Sequence, residues 1–506
     1  MLEDTATRVR RPRRKASVQP RITNEIQVEV RTFKGLQQLA YPLALDSYQR
    51  PYVWDKAKLE QLIDDLLEFQ EQDPSLPDYY MGTLLLHRNR ERESLFVIDG
   101  QQRLTSLCIL YHVLRRRPPP RRMAFEYSSL VSVRNIKHAC TILQEKAAGR
   151  LRAELLNRLN FTVIEVGNED LAFTFFDTQN NRGVPLKPTD LLKAFHLRAI
   201  KTGKPQRDEA LQESCARRWE AVQVSGEKGK RSRDHDFAPE LFHSYLWRAR
   251  NWRGQKVIER ETHDELLMTF QHQSIPTAVA TEVPLYPGVN NRLAAALTLR
   301  PDDEHYWTLQ SVDINESAAS LPFSLRQPIH QGIGFFLYAE KYATLLNWLL
   351  HDETEDAEVV AFRGFYNRVV ATLSPYLREL YKLAALMYVD QFSSVQLMRF
   401  GLWLDHVLGA IRLQKAYIFD RAPLRYLMDK EHNLLDVIAG AYRPEEVIDF
   451  LRSDDMATRG YESARARKVV RGKGIRGRYL DALMNYYGKD SLQDKPLWVE
   501  AALEAR

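Results

Sequence analysis

The chain has 506 residues, of which 44% are hydrophobic and 27% are charged, and its formal net charge is +6. This length corresponds to roughly three domains, and so small a net charge is weak evidence by itself for a nucleic-acid partner. Only three cysteines occur and no apolar run approaches ~18 residues, which excludes a disulfide framework, a cysteine-based zinc site and a membrane-spanning helix. We therefore expect a cytoplasmic protein with no membrane partner and no dedicated metal site.

The first 25 residues are rich in arginine and poor in large apolar residues, which predicts a disordered basic tail. The tail is either simply solvated or an arm that attracts phosphates. Globular sequence begins near Ile26, and residues 34–45 predict a short helix followed by a strand. An amphipathic pattern over Lys56–Gln70 predicts a helix with Asp55 as its N-cap. A strand is predicted over residues 79–87.

The most informative run is Asp99-Gly100-Gln101-Gln102-Arg103. It follows an apolar strand pattern over residues 95–98 and opens an amphipathic helix. Free amides and the positive end of a helix dipole collect at such a turn, which suits an anion such as phosphate. Gly100 would let the backbone approach a ligand closely, and Arg103 could offer two donors to phosphate oxygens. The alternative is a capped turn with a surface arginine.

Beyond this helix, the patterns predict helical sequence over 133–159, a strand over 161–166, and helices over 171–178 and 189–200. A charged run at residues 222–236 predicts a linker between a first domain at 26–221 and a mostly helical region at 237–506. In that region helices are predicted near residues 237–250, 333–350, 356–373, 376–388, 393–414 and 444–452.

Two further segments carry polar groups of the same kind. The first contains Tyr48, Gln49 and Arg50 before a proline, and its aromatic residues Tyr52 and Trp54 either pack or stack on a base. The second segment combines a loop and a helix start, with candidate binding residues at Asn180, Arg182, Gly183, Asp190 and Lys193.

The order of these motifs is Gln-Arg-Pro-Tyr-x-Trp, then Asp-Gly-Gln-Gln-Arg-Leu-Thr, then Asn-x-Arg-Gly-x-x-Leu-x-x-x-Asp-Leu-Leu-Lys. Over residues 26–200 it resembles the N-terminal domain of GmrSD-type restriction proteins, in the ParB/sulfiredoxin-like superfamily. The resemblance implies an α+β fold with a small mixed sheet and flanking helices. It also implies a domain that binds, and often hydrolyses, a nucleoside triphosphate (GTP or ATP, with Mg²⁺ as a candidate companion) in antiviral restriction.

Carried over to this chain, the resemblance gives Asp99, Arg103 and Arg50 as candidate catalytic residues. Asp99 would position water or magnesium, or only orient Arg103. Candidate nucleotide-binding residues are Tyr48, Gln49, Arg50, Gly100, Gln101, Gln102, Arg103, Asn180, Arg182, Gly183, Asp190 and Lys193. No P-loop motif is present, so any hydrolysis would be of another type.

Many relatives carry a C-terminal His-Asn-His nuclease, but the nearest local clusters here, around His432 and His235, lack its motif and are interpreted as surface histidines. The resemblance to a restriction protein leads us to expect DNA as a partner. Either a separate subunit of the defence system carries the nuclease, or there is none. The basic run 465–478 is either a solvated loop or a contact for the DNA backbone. Its candidate residues are Arg465, Arg467, Lys468, Arg471, Lys473, Arg476 and Arg478.

Two other functions stay open at this point. One is a non-enzymatic DNA-binding regulator or adaptor, and the other is a ParB-like nickase that cuts DNA with the N-terminal domain. The sequence leaves the oligomeric state open.

Overall fold

In the computed structural model the chain forms two compact units, residues 1–185 and 186–506. The structure describes residues 26–45, 49, 51–73, 75, 77–127, 130–168, 171–172, 187–226, 236–255, 257, 262–286, 296–299, 307–310, 318–429, 431–492 and 494–504. The predicted basic tail and the predicted helix over 171–178, apart from its first two residues, lie outside this part.

The first unit combines a mixed sheet with helices packed against it. Its elements are β1 (Ile26–Thr32), β2 (Leu43–Ala44), α1 (Lys56–Glu71), β3 (Tyr79–Asn89), β4 (Ser94–Asp99), α2 (Gln101–Arg115), α3 (Leu130–Lys146) and β5 (Leu159–Val166), with 3₁₀ turns at Gly35–Gln38, Arg121–Met123 and Ala153–Arg158. The strand order is β1-β5-β3-β4-β2. β5 runs antiparallel to β1 and parallel to β3, while β4 is antiparallel to β3 and parallel to β2. The small mixed sheet expected from the sequence is confirmed.

Local sequence explains why these elements form. Asp55 caps α1, because its side chain accepts a hydrogen bond of 2.9 Å from the Lys58 amide. The apolar face of α1 is buried against the sheet in one core, together with α2 and α3. Burial of this face is the main stabilisation of a helix that would be marginal alone.

The second unit is mainly helical. Its helices are Pro188–Arg198, Pro205–Val224, Ala238–Glu240, Arg248–Asn251, His263–Leu267, Ile333–Leu350, Ala357–Arg368, Pro375–Phe392, Leu397–Gln414, Arg421–Met428, Leu434–Gly440, Pro444–Arg452, Asp455–Glu462, Ala464–Arg467, Gly474–Tyr487 and Lys495–Glu504. π-helical turns occupy Leu241–Trp247 and Met268–His272, 3₁₀ turns occupy Ala318–Ser320 and Val370–Thr372, and the strands Ala296–Leu299 and Trp307–Gln310 pair antiparallel. None of the helices in the described ranges is both long and apolar enough to cross a lipid bilayer.

The boundary between the units lies earlier than the linker predicted at 222–236. The helices Pro188–Arg198 and Pro205–Val224 belong to the helical unit because their aromatic side chains are buried in it. His196 stacks on Phe335 with ring centroids 3.7 Å apart, and Trp219 lies 5.6 Å from the same ring. The charged run that follows resembled a linker, but the two helices before it already pack with the helices after it.

Candidate functional site

The turn between β4 and α2 requires a glycine. Gly100 has φ +97° and ψ 3°, in the left-handed region, and a Cβ there would overlap the side chain of Leu84. Gly100 is the N-cap of α2 and provides no side chain to cap it. The first amides of α2 thus have no capping side chain at the positive end of the helix dipole, which is the arrangement that binds anions.

The Arg103 guanidinium lies against a bulge of β3 at Gly82. Its Nη1 donates to the Met81 carbonyl at 2.8 Å, and its Nη2 donates to the Thr83 carbonyl at 2.7 Å. Gly82 has φ +95°, and a Cβ there would overlap Nη1 of Arg103. Arg103 therefore fixes the bulge, and Gly82 makes room for it.

Sequence reasoning had placed Gly82 in a strand without a role. A glycine inside a strand pattern is the signal that could have indicated a bulge or a close approach.

Asp99 and Arg103 form an ion pair that leaves some of their hydrogen-bond donors and acceptors unused. Nη2 of Arg103 lies 3.2 Å from Oδ2 of Asp99, and the two side chains are 24% (Arg103) and 38% (Asp99) exposed. The bonds to Met81, Thr83 and Asp99 use three of the five N–H groups of the guanidinium. Within the described part of the chain, Oδ1 of Asp99 has no hydrogen-bond donor. Both side chains are thus positioned and still able to contact a ligand.

Gln49 acts on the backbone of β4. Its Nε2 donates to the Val97 carbonyl at 2.6 Å and lies 3.3 Å from the Ile98 carbonyl. The side chain thereby satisfies strand-edge acceptors next to the turn. Its candidate neighbours Tyr48 and Arg50 lie outside the described residues.

Gln102 holds the Pro51–Val53 segment against α2. Its Oε1 accepts from the Val53 amide at 2.8 Å and its Nε2 donates to the Pro51 carbonyl at 3.1 Å. Between them Tyr52 is fully buried, and its hydroxyl lies 2.8 Å from Oγ of Ser106. Burial raises the pKa of Tyr52 to about 12. Of the two interpretations of Tyr52, packing is the one observed.

Gln101 is the unusual polar group of the turn. The residue is only 5% exposed, and its Oε1 has no hydrogen-bond partner among the described residues. Its main-chain carbonyl is satisfied, because Oγ1 of Thr105 donates to it at 2.8 Å. A buried side-chain acceptor without a donor costs about 1–3 kcal/mol and requires an explanation such as a ligand.

Only part of the third predicted motif lies among the described residues. Asn180, Arg182 and Gly183 lie outside the described residues. Asp190 and Lys193 lie in the helix Pro188–Arg198 of the second unit.

Lys193 lies in an acidic environment, and only 3% of it is exposed. Burial lowers the pKa of Lys193, whereas the negative charges of Glu220, Asp190 and Asp236 oppose that shift. Asp236 in turn accepts from Lys187 at 3.2 Å. These groups form a charge cluster within the second unit.

The basic run 465–478 spans the helix Ala464–Arg467, a loop and the start of the helix Gly474–Tyr487. Arg471 is neutralised by Asp481 at 2.9 Å and by Asp490 at 3.6 Å. Arg476 donates to the Leu413 carbonyl at 3.3 Å. The remaining five candidates are exposed and have no ion-pair partner within the described ranges: Arg465, Arg467, Lys468, Lys473 and Arg478.

The histidines considered as nuclease candidates show no catalytic arrangement in the described part. His432 is exposed, while Asn433 is buried and caps the next helix by accepting from the Leu435 amide at 2.9 Å. His235 lies outside the described residues. Among the side chains that are described, no group of three or more His, Cys, Asp or Glu could hold a metal ion.

Comparisons with known proteins agree with the motif analysis. Residues 32–197 match the family model for the GmrSD restriction endonuclease N-terminal domain, as the motifs predicted, and residues 211–465 match a family of unknown function (DUF7834). An uncharacterized protein of Methanocaldococcus jannaschii is 33% identical over 101 residues, which is 16% of this chain and 17% of that protein. The turn at Asp99–Arg103 lies inside the first match, and the basic run begins where the second ends.

Proposed function

Because the chain belongs to a family of unknown function (DUF7834) and carries a GmrSD restriction endonuclease N-terminal domain, we propose that it is a phage-restriction protein. We propose further that its first unit binds and hydrolyses a nucleoside triphosphate at the turn between β4 and α2. Tyr48, Arg50, Asn180, Arg182 and Gly183 remain proposed contributors to nucleotide binding.

The uncapped start of α2 is the observation that carries this proposal. Gly100 has no side chain to cover the first amides of α2, and uncovered amides at the N-terminus of a helix favour binding of a negatively charged group. The unpartnered Oε1 of Gln101 adds a buried acceptor, which would take a hydrogen bond from a sugar hydroxyl or from water ordered by the phosphates.

Asp99 and Arg103 have different roles in the proposed reaction. Oδ1 of Asp99 has no donor among the described residues and belongs to a partly exposed side chain, so it is able to orient an attacking water. Arg103 is already held by the Met81 and Thr83 carbonyls, so its positive charge is preorganised for the charge that develops during phosphoryl transfer.

The residues present fit Mg²⁺ only as a companion of the nucleotide. Magnesium commonly binds one or two carboxylates together with substrate phosphates, and Asp99 offers one such carboxylate oxygen. When bound there, magnesium would neutralise part of the negative charge of the phosphates.

Two measurements on the full chain test this proposal. Binding of GTP and ATP is measured by calorimetry, and phosphate release is measured with and without DNA. Asp99→Asn keeps the size of the side chain, and we expect it to reduce turnover by about 10²-fold or more, because the carboxylate is lost, while binding changes little. Unchanged turnover in this variant would remove Asp99 from the chemistry.

Gly100→Ala tests the turn itself, and Gly149→Ala is its matched control. Both glycines have positive φ, but a Cβ at Gly149 meets nothing within 4 Å. We expect Gly100→Ala to abolish nucleotide binding and Gly149→Ala to preserve it. Equal binding by both variants would contradict a site at this turn.

A DNA contact by the basic run is a second proposal, favoured by its five exposed cations without ion-pair partners in the described ranges. Arg467→Ala should weaken DNA binding and reduce the slope of log affinity against log salt by about 0.9 if one phosphate contact is lost. Arg471→Ala is the matched control, because Arg471 is already paired with two aspartates. An equal loss of DNA binding in both variants would indicate that the exposure of these cations does not determine DNA binding.

The same assays separate the two other functions. DNA binding without phosphate release would favour a regulator or adaptor. Nicking of plasmid DNA with magnesium, lost in Asp99→Asn, would favour a nickase.

A further inference from the structure

β1 is an outer strand of the sheet. It pairs with β5, and within the described residues no strand lies on its other side. It is seven residues long, with the sequence IQVEVRT. The opposite edge is β2, with only two residues. A long outer strand presents unpaired amides and carbonyls, to which another strand can add.

The hydrogen-bond pattern identifies which residues of β1 are directed outward. The Phe33 amide, directly after β1, donates to the Leu159 carbonyl of β5 at 2.8 Å. Inward and outward orientation alternates along an antiparallel strand. The amides and carbonyls of Val28, Val30 and Thr32 are therefore directed away from β5.

The side chains of β1 add an exposed apolar row. Ile26, Val28 and Val30 are 44%, 63% and 67% exposed, and strand alternation places them on one face. Tyr80 of β3, 56% exposed, extends this surface through its hydroxyl, which lies 3.1 Å from Oγ1 of Thr162 on β5. β-branched residues on an open edge favour strand addition.

The charges of β1 select a second copy of the same strand as the partner. Glu29 and Arg31 lie on the other face and form an ion pair at 2.6 Å. When two copies pair antiparallel with Val30 opposite Val30, each Glu29 lies opposite an Arg31 of the other copy. A shift of the register by two residues places Glu29 opposite Glu29, which is unfavourable.

We propose that two copies of this chain associate through antiparallel pairing of β1, with Val30 at the twofold axis. The two sheets then form one continuous sheet. The outward groups of Val28, Val30 and Thr32 are satisfied by the same groups of the second copy, and cross-strand Glu29–Arg31 pairs fix the register. The interaction is isologous, so it closes at a dimer.

The test uses the full chain in analytical ultracentrifugation over a series of concentrations. The wild-type chain should form a dimer. Arg31→Glu and Glu29→Arg each place like charges opposite each other, and each should weaken self-association by about tenfold or more. Circular dichroism and thermal unfolding establish that both variants are folded.

Mixing the two variants separates the interface from an effect inside one chain. In both single variants the ion pair within the strand is broken, since Arg31→Glu leaves two acidic side chains on this face of β1 and Glu29→Arg leaves two basic ones. In a mixed dimer, opposite charges face each other at both cross-strand positions, so the two variants should form a heterodimer. Failure to associate, or single variants that dimerise like the wild type, would overturn the proposal.

Cross-linking provides a measurement that does not depend on charge. Val30→Cys should form a disulfide-linked dimer on mild oxidation, because opposite Cα atoms of a hydrogen-bonded pair lie about 5.5 Å apart. Val28→Cys is the matched control: it lies opposite Thr32 in this register and should remain uncoupled, as should the wild type with its native cysteines. A monomeric wild type, or equal coupling at both positions, would overturn the proposal.

Discussion

Each unit of the molecule contains an aspartate–cation pair, and the two pairs differ in burial. In the second unit, Nζ of Lys495 lies 2.7 Å from Oδ2 of Asp405, and neither side chain is exposed at all. In the first unit, Arg103 lies 3.2 Å from Asp99, and the exposed fractions are 24% and 38%.

The two pairs also differ in whether both oxygens of the aspartate carboxylate accept a hydrogen bond. Lys495 donates a second bond to the Tyr461 hydroxyl at 2.7 Å, and Tyr479 donates to Oδ1 of Asp405 at 2.8 Å. Gly409 leaves room for both tyrosine hydroxyls. At Asp99–Arg103 one carboxylate oxygen and part of the guanidinium keep unused capacity. Both carboxylate oxygens of the buried Asp405 have a donor, so this pair serves the fold, whereas the Asp99 carboxylate keeps one oxygen that can serve a ligand.

The largest expected effect comes from breaking the buried pair. Lys495→Met leaves the Asp405 carboxylate buried without its cation, which should destabilise the second unit by about 3–5 kcal/mol. Urea unfolding followed by hydrogen exchange in the helix Leu397–Gln414 would measure this. Asp405→Asn combined with Lys495→Met should recover part of the loss. A loss below about 1 kcal/mol in the single variant would mean that the buried pair contributes no more to stability than an exposed one.

The stability of the second unit should also depend on pH through two buried histidines. Burial lowers the pKa of His196 and of His406 from 6.5 to about 3. The unfolded chain thus binds more protons below pH 6.5, so stability is complete above this pH and falls as pH decreases toward 3. At pH 5, each histidine should lower the free energy of unfolding by about 2 kcal/mol relative to its value above pH 6.5.

Hydrogen exchange of the second unit at pH 7 and pH 5, corrected for the intrinsic exchange rate, would detect this loss. His196→Gln should remove about half of the pH-dependent part. A pH-independent stability in this range would contradict the buried neutral state of both rings.

The glycine pair of the first unit gives a smaller effect on stability. Gly100→Ala adds a Cβ that overlaps Leu84 in a left-handed conformation, so we expect a loss of about 1–3 kcal/mol. Gly149→Ala has the same strain without a clash and should cost about 1 kcal/mol. Thermal unfolding of both variants measures the difference, and equal losses would mean that Leu84 moves aside readily.

The smallest expected effect on stability is that of Asp99→Asn. The Asp99–Arg103 pair is partly exposed, and Arg103 keeps its two carbonyl acceptors, so the loss should be below about 1 kcal/mol. Chemical denaturation would measure it. A loss as large as that of Lys495→Met would make this pair structural and would weaken the proposed function.

Local elements followed closely from the sequence. The helix predicted over Lys56–Gln70 is observed at Lys56–Glu71 with Asp55 as its cap, and the helix predicted over 444–452 is observed at Pro444–Arg452. Apolar periodicity and capping residues act within one or two turns, so they are readable from a single chain. The Asp-Gly-Gln-Gln-Arg turn was likewise identified from adjacent residues, and the family from the order of three such short motifs along the chain.

Partners distant along the chain did not follow from the sequence. Arg103 was interpreted as a phosphate ligand, yet it also bonds carbonyls about 20 residues earlier, at a bulge that only the sheet reveals. The sequence likewise did not predict the pairing of Asp405 with Lys495, 90 residues apart, or the outer position of β1 beside β5.

Many of the helices, most strands of the first unit, the glycine-dependent turn and the restriction-domain family could be predicted from the amino-acid sequence, because these depend on periodicity and on short motifs. The helix Pro205–Val224 was not predicted. Which carboxylate oxygens have a donor, which remain available to a ligand, and which strand lies at the edge of the sheet became visible only in the folded molecule. The physical reason is that a hydrogen bond or an ion pair depends on the final positions of both partners, and long-range packing sets those positions.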